Sequence, residues 1–171
     1  SMSLALEVFI LATVRLLSLA CSLVLTALVL DAVRAGSFLQ SGSAMLADPT
    51  TTIAVVGAND DPGKYGSRIY RDLKAKGYTV FPVNPNRATV DGDPAYDTIE
   101  DLPEEPTILN FVVPPPLTLR ILQKAKELGL MSAWVQPGAE SPEVVEYLER
   151  ESFDHVVDVC IMVQSRAYHH A

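Results

Sequence analysis

The sequence has no CxxC pair, no HExxH segment and no long run of basic residues, and each absence closes a class of function. Its two cysteines, Cys21 and Cys160, stand far apart, so neither a disulfide framework nor a thiolate zinc site is indicated; a reducing, cytoplasmic setting fits. The three histidines are His155 and the pair His169 and His170 near the end, with no carboxylate spacing that would complete a ligand set, so no metal site is expected. Lys and Arg number 13 against 21 Asp and Glu, a formal net charge of -8, which disfavours long-range attraction to nucleic acid or an anionic membrane surface.

What is present divides into an appendage and a main domain. At 171 residues the chain suits one domain with a proper core plus an extension. Val8 to Leu30 is almost wholly apolar, with Arg15 its one charged residue, and as a helix it is long enough to span a hydrocarbon core of about 30 Å. Ser18, Ser22 and Thr26 recur every fourth residue and form a small-residue seam on such a helix. A membrane anchor and an oligomerisation helix are both open readings, and so is an overlong start, since Met45 begins a natural domain opening of its own. The expected layout is residues 1–44 as apolar helix and linker, 45–168 as the main domain and 169–171 as a loose tail.

The main domain opens on TIAVVGANDDPGKYGSRIYR, Thr52 to Arg71. Ile53, Val55 and Val56 read as a short strand covered on both faces, Gly57 as a sharp turn at its carboxyl end, and the residues from about Tyr65 as a helix. Ile69, Tyr70 and Leu73 make that helix's apolar face; Lys64, Arg68 and Arg71 make a basic one. Further strands are expected at Tyr78 to Val83, Thr107 to Val113, Ser132 to Val135 and Val156 to Val163. Helices are expected at Leu117 to Leu128 and Pro142 to Glu151, the second capped by Ser141. Residues 87–106 read as a connecting lobe. This alternation predicts an α/β fold, a Rossmann-like doubly wound parallel sheet of about five strands preceded by the apolar helix, with ligands at the strands' carboxyl ends.

The loops at those ends narrow the ligand. Gly57 is followed by Ala58 and Asn59, so GxGxxG is absent, and Asn84 stands where a nicotinamide dinucleotide site places an acidic residue for the ribose. The spacing from Gly57 to Gly63 and Lys64 is one residue too long for a P-loop, and Tyr65 replaces the magnesium-holding hydroxyl. What remains is a phosphate-tolerant turn, in which Lys64 supplies a point charge and the helix amides near Gly66 and Ser67 supply donors. For Arg71 the plainer reading, a solvated helix face, carries more weight than a phosphate role.

VGANDDPGKYG, VNPN, VVPP, WVQPGAES and DVCIMV, five segments in order over about Asp48 to Tyr168, together resemble the small CoA-binding proteins related to the CoA-binding domain of the succinyl-CoA synthetase α subunit. The resemblance implies a Rossmann-like fold with CoA across the strand ends. By position it implies Gly57, Ala58, Asn59 and Lys64 at the phosphate and adenosine part, and Asn84 and Pro85 near the adenine. Val113 and Pro114 would follow the pantetheine, while Gln136, Pro137 and Gly138 would close the mouth. A ligase of that type also needs a domain bearing a phosphorylated histidine and a partner subunit, and the chain ends where that domain would begin. His155 is expected at the far edge of the sheet and Cys160 as an inert strand residue. The reading is therefore a non-catalytic module for CoA or acyl-CoA, with no catalytic residue assigned. The alternative is an enzyme subunit using CoA or a nicotinamide nucleotide with a partner's residues.

Overall fold

Short apolar runs alternating with amphipathic segments build one parallel sheet with helices on both faces in the computed structural model, which describes residues 42–170. The candidate span at residues 8–30 lies outside the described residues. A helical stretch α1 (42–47) is followed by β1 (Thr52–Val56), α2 (Tyr65–Ala75), β2 (Thr79–Val83), a small hairpin of β3 (Thr89–Val90) and β4 (Asp93–Pro94), and a 3-10 turn Ile99–Asp101. Then come β5 (Ile108–Phe111), α3 (Pro115–Glu127), β6 (Ser132–Val135), α4 (Pro142–Arg150), β7 (Asp154–Val157) and α5 (Ile161–Gln164). The five long strands lie in the order β2-β1-β5-β6-β7, every pairing parallel, as a Rossmann-like α/β fold requires.

Successive residues of β1 enter different cores, which is the period of a strand with both faces covered. Ile53 and Val55 pack with Ile69, Tyr70 and Leu73 of α2 and with Trp134 and Ile161. Ala54 and Val56 pack with Phe111, Leu122 of α3, and Val144 and Leu148 of α4. Pro82 occupies the sheet's edge strand β2, where a missing N–H is tolerated. Among the described residues, no helix is long and apolar enough to cross a membrane.

Two helix starts follow local chemistry. The Ser141 hydroxyl accepts from the Val144 amide and Pro142 takes the first position of α4. The second start differs from expectation: α3 begins at Pro115 rather than Leu117, because prolines fit a helix's first turn, where no N–H is needed.

The end of the chain also departs from the sequence reading. β7 stops at Val157, Asp158 turns at φ 58°, and Cys160 caps α5 instead of lying in a strand. Two long-range hydrogen bonds hold this turn: the Trp134 indole donates to the Val159 carbonyl (2.7 Å), and the Ile161 amide donates to the Gln136 side chain (3.4 Å). Lys76, 7% exposed, then fixes the terminal segment by donating to Asp72, the Met162 carbonyl and Ser165, which uses all three of its N–H groups. His170 is no loose end: its amide donates to the Lys76 carbonyl and its ring meets Tyr78 edge-on, 4.6 Å between centroids.

Candidate binding cleft

The strand order reverses between β1 and β5, because the chain leaves β1 for β2 on one side and later returns to pair β5 on the other. Loops leaving those two strands must diverge, and the gap between them is where open α/β sheets take ligands. A cleft of about 690 Å³ opens at this point. Gly57, Asn59, Lys64, Asn84, Pro85, Val113 and Pro114 all line it, so the structure brings these seven expected residues together. Gln136, Pro137 and Gly138 instead line a second cavity of about 510 Å³, which shares Tyr65, Val112, Val113 and Pro114 with the first. Ala58 and Ser67 line neither; both are buried, at 0% and 1% exposure.

Gly57 has φ 98°, and a Cβ there would come 2.7 Å from a Val113 methyl. Only glycine allows the β1 turn to lie against the β5 loop. Asn84 braces the same turn: its amide donates to the Ala58 carbonyl (2.7 Å) and its oxygen accepts from the Asn86 amide (2.9 Å). The Asn59 oxygen accepts from the Asp61 amide (2.9 Å) and from Arg87 (3.4 Å).

The two helices that start here are electrostatically unequal. Lys64 is the N-cap of α2 with no side-chain capping bond, and the Tyr65 and Gly66 amides have no acceptor among the described residues. These are open donors at the positive end of an 11-residue helix. α3 is preceded by Pro114 at its N-cap and begins with Pro115 and Pro116, none of which carries an N–H, so its start presents hydrocarbon.

The charged side chains divide in the same way. Lys64 and Arg120 line the cleft, and neither is bonded or ion-paired to another described residue. Lys124 also lines it but is held by Glu127 (2.8 Å) and Glu100 (3.4 Å), whose hydrogen bonds raise its pKa. The other basic residues of α2 are committed elsewhere: Arg68 donates to the Pro62 carbonyl, Arg71 pairs with Asp91 at 3.0 Å, and Lys74 pairs with Asp91 and Asp93. Asp60 and Asp61, which would repel an anion, are not among the cleft's lining residues and accept from the Asp91 and Gly63 amides.

Sequence reasoning missed several lining residues. Asp97, Thr98, Ile99 and Glu100 belong to the segment read as a connector, brought in by the bridge between Val83 and Tyr96. Leu117, Arg120, Ile121 and Lys124 recur at i, i+3, i+4 and i+7, one stripe of α3, and that periodicity was the available signal. His155 lies near the amino-terminal end of β7, its Nδ1 2.8 Å from the Phe153 carbonyl oxygen, away from the cleft loops. Among the described residues, no group of His, Cys, Asp or Glu could hold a metal ion.

The chain is similar in sequence and fold to several known proteins. A family model described as CoA binding domain matches residues 51–166. The alpha subunit of an ADP-forming acetate–CoA ligase II from Pyrococcus furiosus is 35% identical over 79 residues, which cover 46% of this chain and 17% of that one. An ADP-forming acetate–CoA ligase I from Archaeoglobus fulgidus is 28% identical over 119 residues, again 17% of its length, so the chain spans a small part of these ligases. Among solved structures, a conserved hypothetical protein from Pyrococcus furiosus is 41% identical with a TM-score of 0.65, covering 67% of this chain and 98% of that one. A Thermus thermophilus protein is 32% identical with a TM-score of 0.68, covering 75% and 97%.

Proposed function

The chain belongs to the CoA-binding domain family, and from that premise we propose that it is a non-catalytic module that binds CoA or acyl-CoA in the cleft between β1 and β5. The observation that carries this reading is the pair of uncommitted cations, Lys64 and Arg120, beside the open amides of Tyr65 and Gly66. Together they suit the phosphates of an anionic ligand. Asn59, Asn84 and Pro85 then border the adenosine, Gly57 lets the backbone approach it, and Val113 and Pro114 flank the pantetheine. Gln136, Pro137 and Gly138 border the thiol end. Ala58 and Ser67 act behind this surface, Ala58 through the carbonyl that Asn84 grips.

The non-catalytic part is supported by the placement of the reactive groups. His155 is bonded at the far end of its strand, and among the described residues no His, Asp, Glu or Lys lines the second cavity with Cys160. The second reading, an enzyme subunit completed by a partner, is favoured by the ligase relatives. Nicotinamide nucleotides fit less well, because the carboxamide of Asn84 is spent on the Ala58 carbonyl.

Calorimetry of the full chain with CoA, NAD and ATP tests the ligand. Micromolar binding of CoA alone supports the proposal; binding of NAD without a CoA signal overturns it. Turnover of acetyl-CoA with ADP and phosphate by the chain alone would overturn the non-catalytic part. Residues 8–30 are proposed as a homo-oligomerisation or membrane-contact segment, tested by comparing the full chain with one starting at Met45 in sedimentation and vesicle partition.

A further inference from the structure

We infer that the second cavity is an acyl chamber, which receives an uncharged aliphatic acyl group from a CoA thioester whose nucleotide end occupies the first cleft. This rests on the CoA reading above and goes beyond it by naming the thioester class. Four residues, Tyr65, Val112, Val113 and Pro114, wall both spaces, so a ligand leaving the first along Val113 and Pro114 enters the second. Charge separates them completely. Lys64, Asp97, Glu100, Arg120 and Lys124 line the first cavity, and among the described residues no charged one lines the second.

The carboxamide that lines the chamber is already committed. The Gln136 amide donates to Asn110 (2.6 Å) and its oxygen accepts from the Ile161 amide (3.4 Å), so it has little left for a ligand. Ile69, Val112, Pro115 and Ala139 supply hydrocarbon, and the Cys160 thiol is a weak donor. At about 510 Å³ the chamber exceeds what a bare thiol fills and falls in the range of sites for whole small molecules. A carboxylate at the far end of an acyl chain would meet no cation among the described lining residues to offset the hydration it gives up. The chamber therefore selects butyryl over succinyl, two acyl groups of equal carbon number.

The test is calorimetry of the full chain with CoA and its acetyl, butyryl, hexanoyl and succinyl thioesters. Affinity is expected to rise by up to about fourfold per added methylene from acetyl to hexanoyl, with succinyl-CoA about tenfold weaker than butyryl-CoA. Equal affinities across the series, or succinyl-CoA binding as tightly as butyryl-CoA, would overturn the chamber while leaving CoA binding intact. Failure of every species, CoA included, would overturn the function proposal and the chamber together. Cys160→Phe fills the chamber and is expected to erase the preference of hexanoyl-CoA over CoA; retention of that preference contradicts the proposal. Cys160→Leu, with thermal unfolding as a check on both variants, serves if the larger residue prevents folding.

Discussion

The carbonyl oxygen of Gly57 lies 2.0 Å from where a Cβ on Gly66 would stand, so the end of β1 and the start of α2 meet backbone to backbone. This contact brings the open helix amides up to the floor of the cleft. Gly66→Ala must push the two apart, and an overpacked site of this kind costs about 1–3 kcal/mol. Gly129→Ala is the control: its φ is 78° but nothing lies within 4 Å of the new Cβ, and it lines neither cavity. Conformational strain alone, about 1 kcal/mol, is expected there. Urea unfolding should show the larger loss for Gly66→Ala, and only that variant should also weaken CoA binding.

Lys64→Ala and Arg120→Ala are each expected to weaken CoA about tenfold, the scale of one charge-assisted hydrogen bond. The loss should shrink as salt rises and vanish for pantetheine lacking phosphate. Titration calorimetry at two ionic strengths checks this. Equal losses for CoA and pantetheine would remove the phosphate role from these side chains.

Gln136 sits just past the end of β6 and is 3% exposed, bonded to Asn110 of β5 on one side and the Ile161 amide of α5 on the other. Gln136→Ala leaves buried polar atoms on both β5 and α5 without partners and is expected to cost about 2–3 kcal/mol. Asn110→Ala should lose a similar amount, and the double variant should lose less than the sum, because the second change removes an orphan that the first created. Denaturant unfolding of the three variants reads this directly.

Alkaline stability follows from two buried phenols. Burial, with the nearby Tyr168 and Asp72 charges, pushes the Tyr78 hydroxyl up to about 12. Tyr70 is raised too, first by burial and then by its hydrogen bond to Asp93. Unfolded tyrosine ionises near ~10. A folded pKa above that value means stability fully present below pH ~10 and lost as pH climbs toward the folded values. Thermal unfolding at stepped pH should show this decline. Tyr78→Phe should flatten it, while losing about 1 kcal/mol at neutral pH with the bond to the Leu46 carbonyl (2.6 Å).

Most of the sheet was legible because its determinants are local. The β-branched run of β1, the SAWV of β6 and the Ser141-Pro142 cap of α4 carry their own signals in a few residues. The last strand was misread because VVDVCIMV has strand chemistry throughout, and what stops it at Val157 is the Trp134 indole reaching Val159 across 25 positions. The cleft was half legible for a related reason. Gly57, Lys64 and Asn84 sit at strand and helix ends, where sequence marks turns. Asp97 to Glu100 arrive through a bridge to Val83, and no local pattern announces that contact.

The most direct test is an amide NMR titration of the full chain with CoA. The account predicts the largest shifts at Tyr65 and Gly66, with further shifts at Gly57, Val113 and Arg120. Saturable CoA binding whose largest shifts fall instead around His155 and the amino-terminal end of β7 would contradict it.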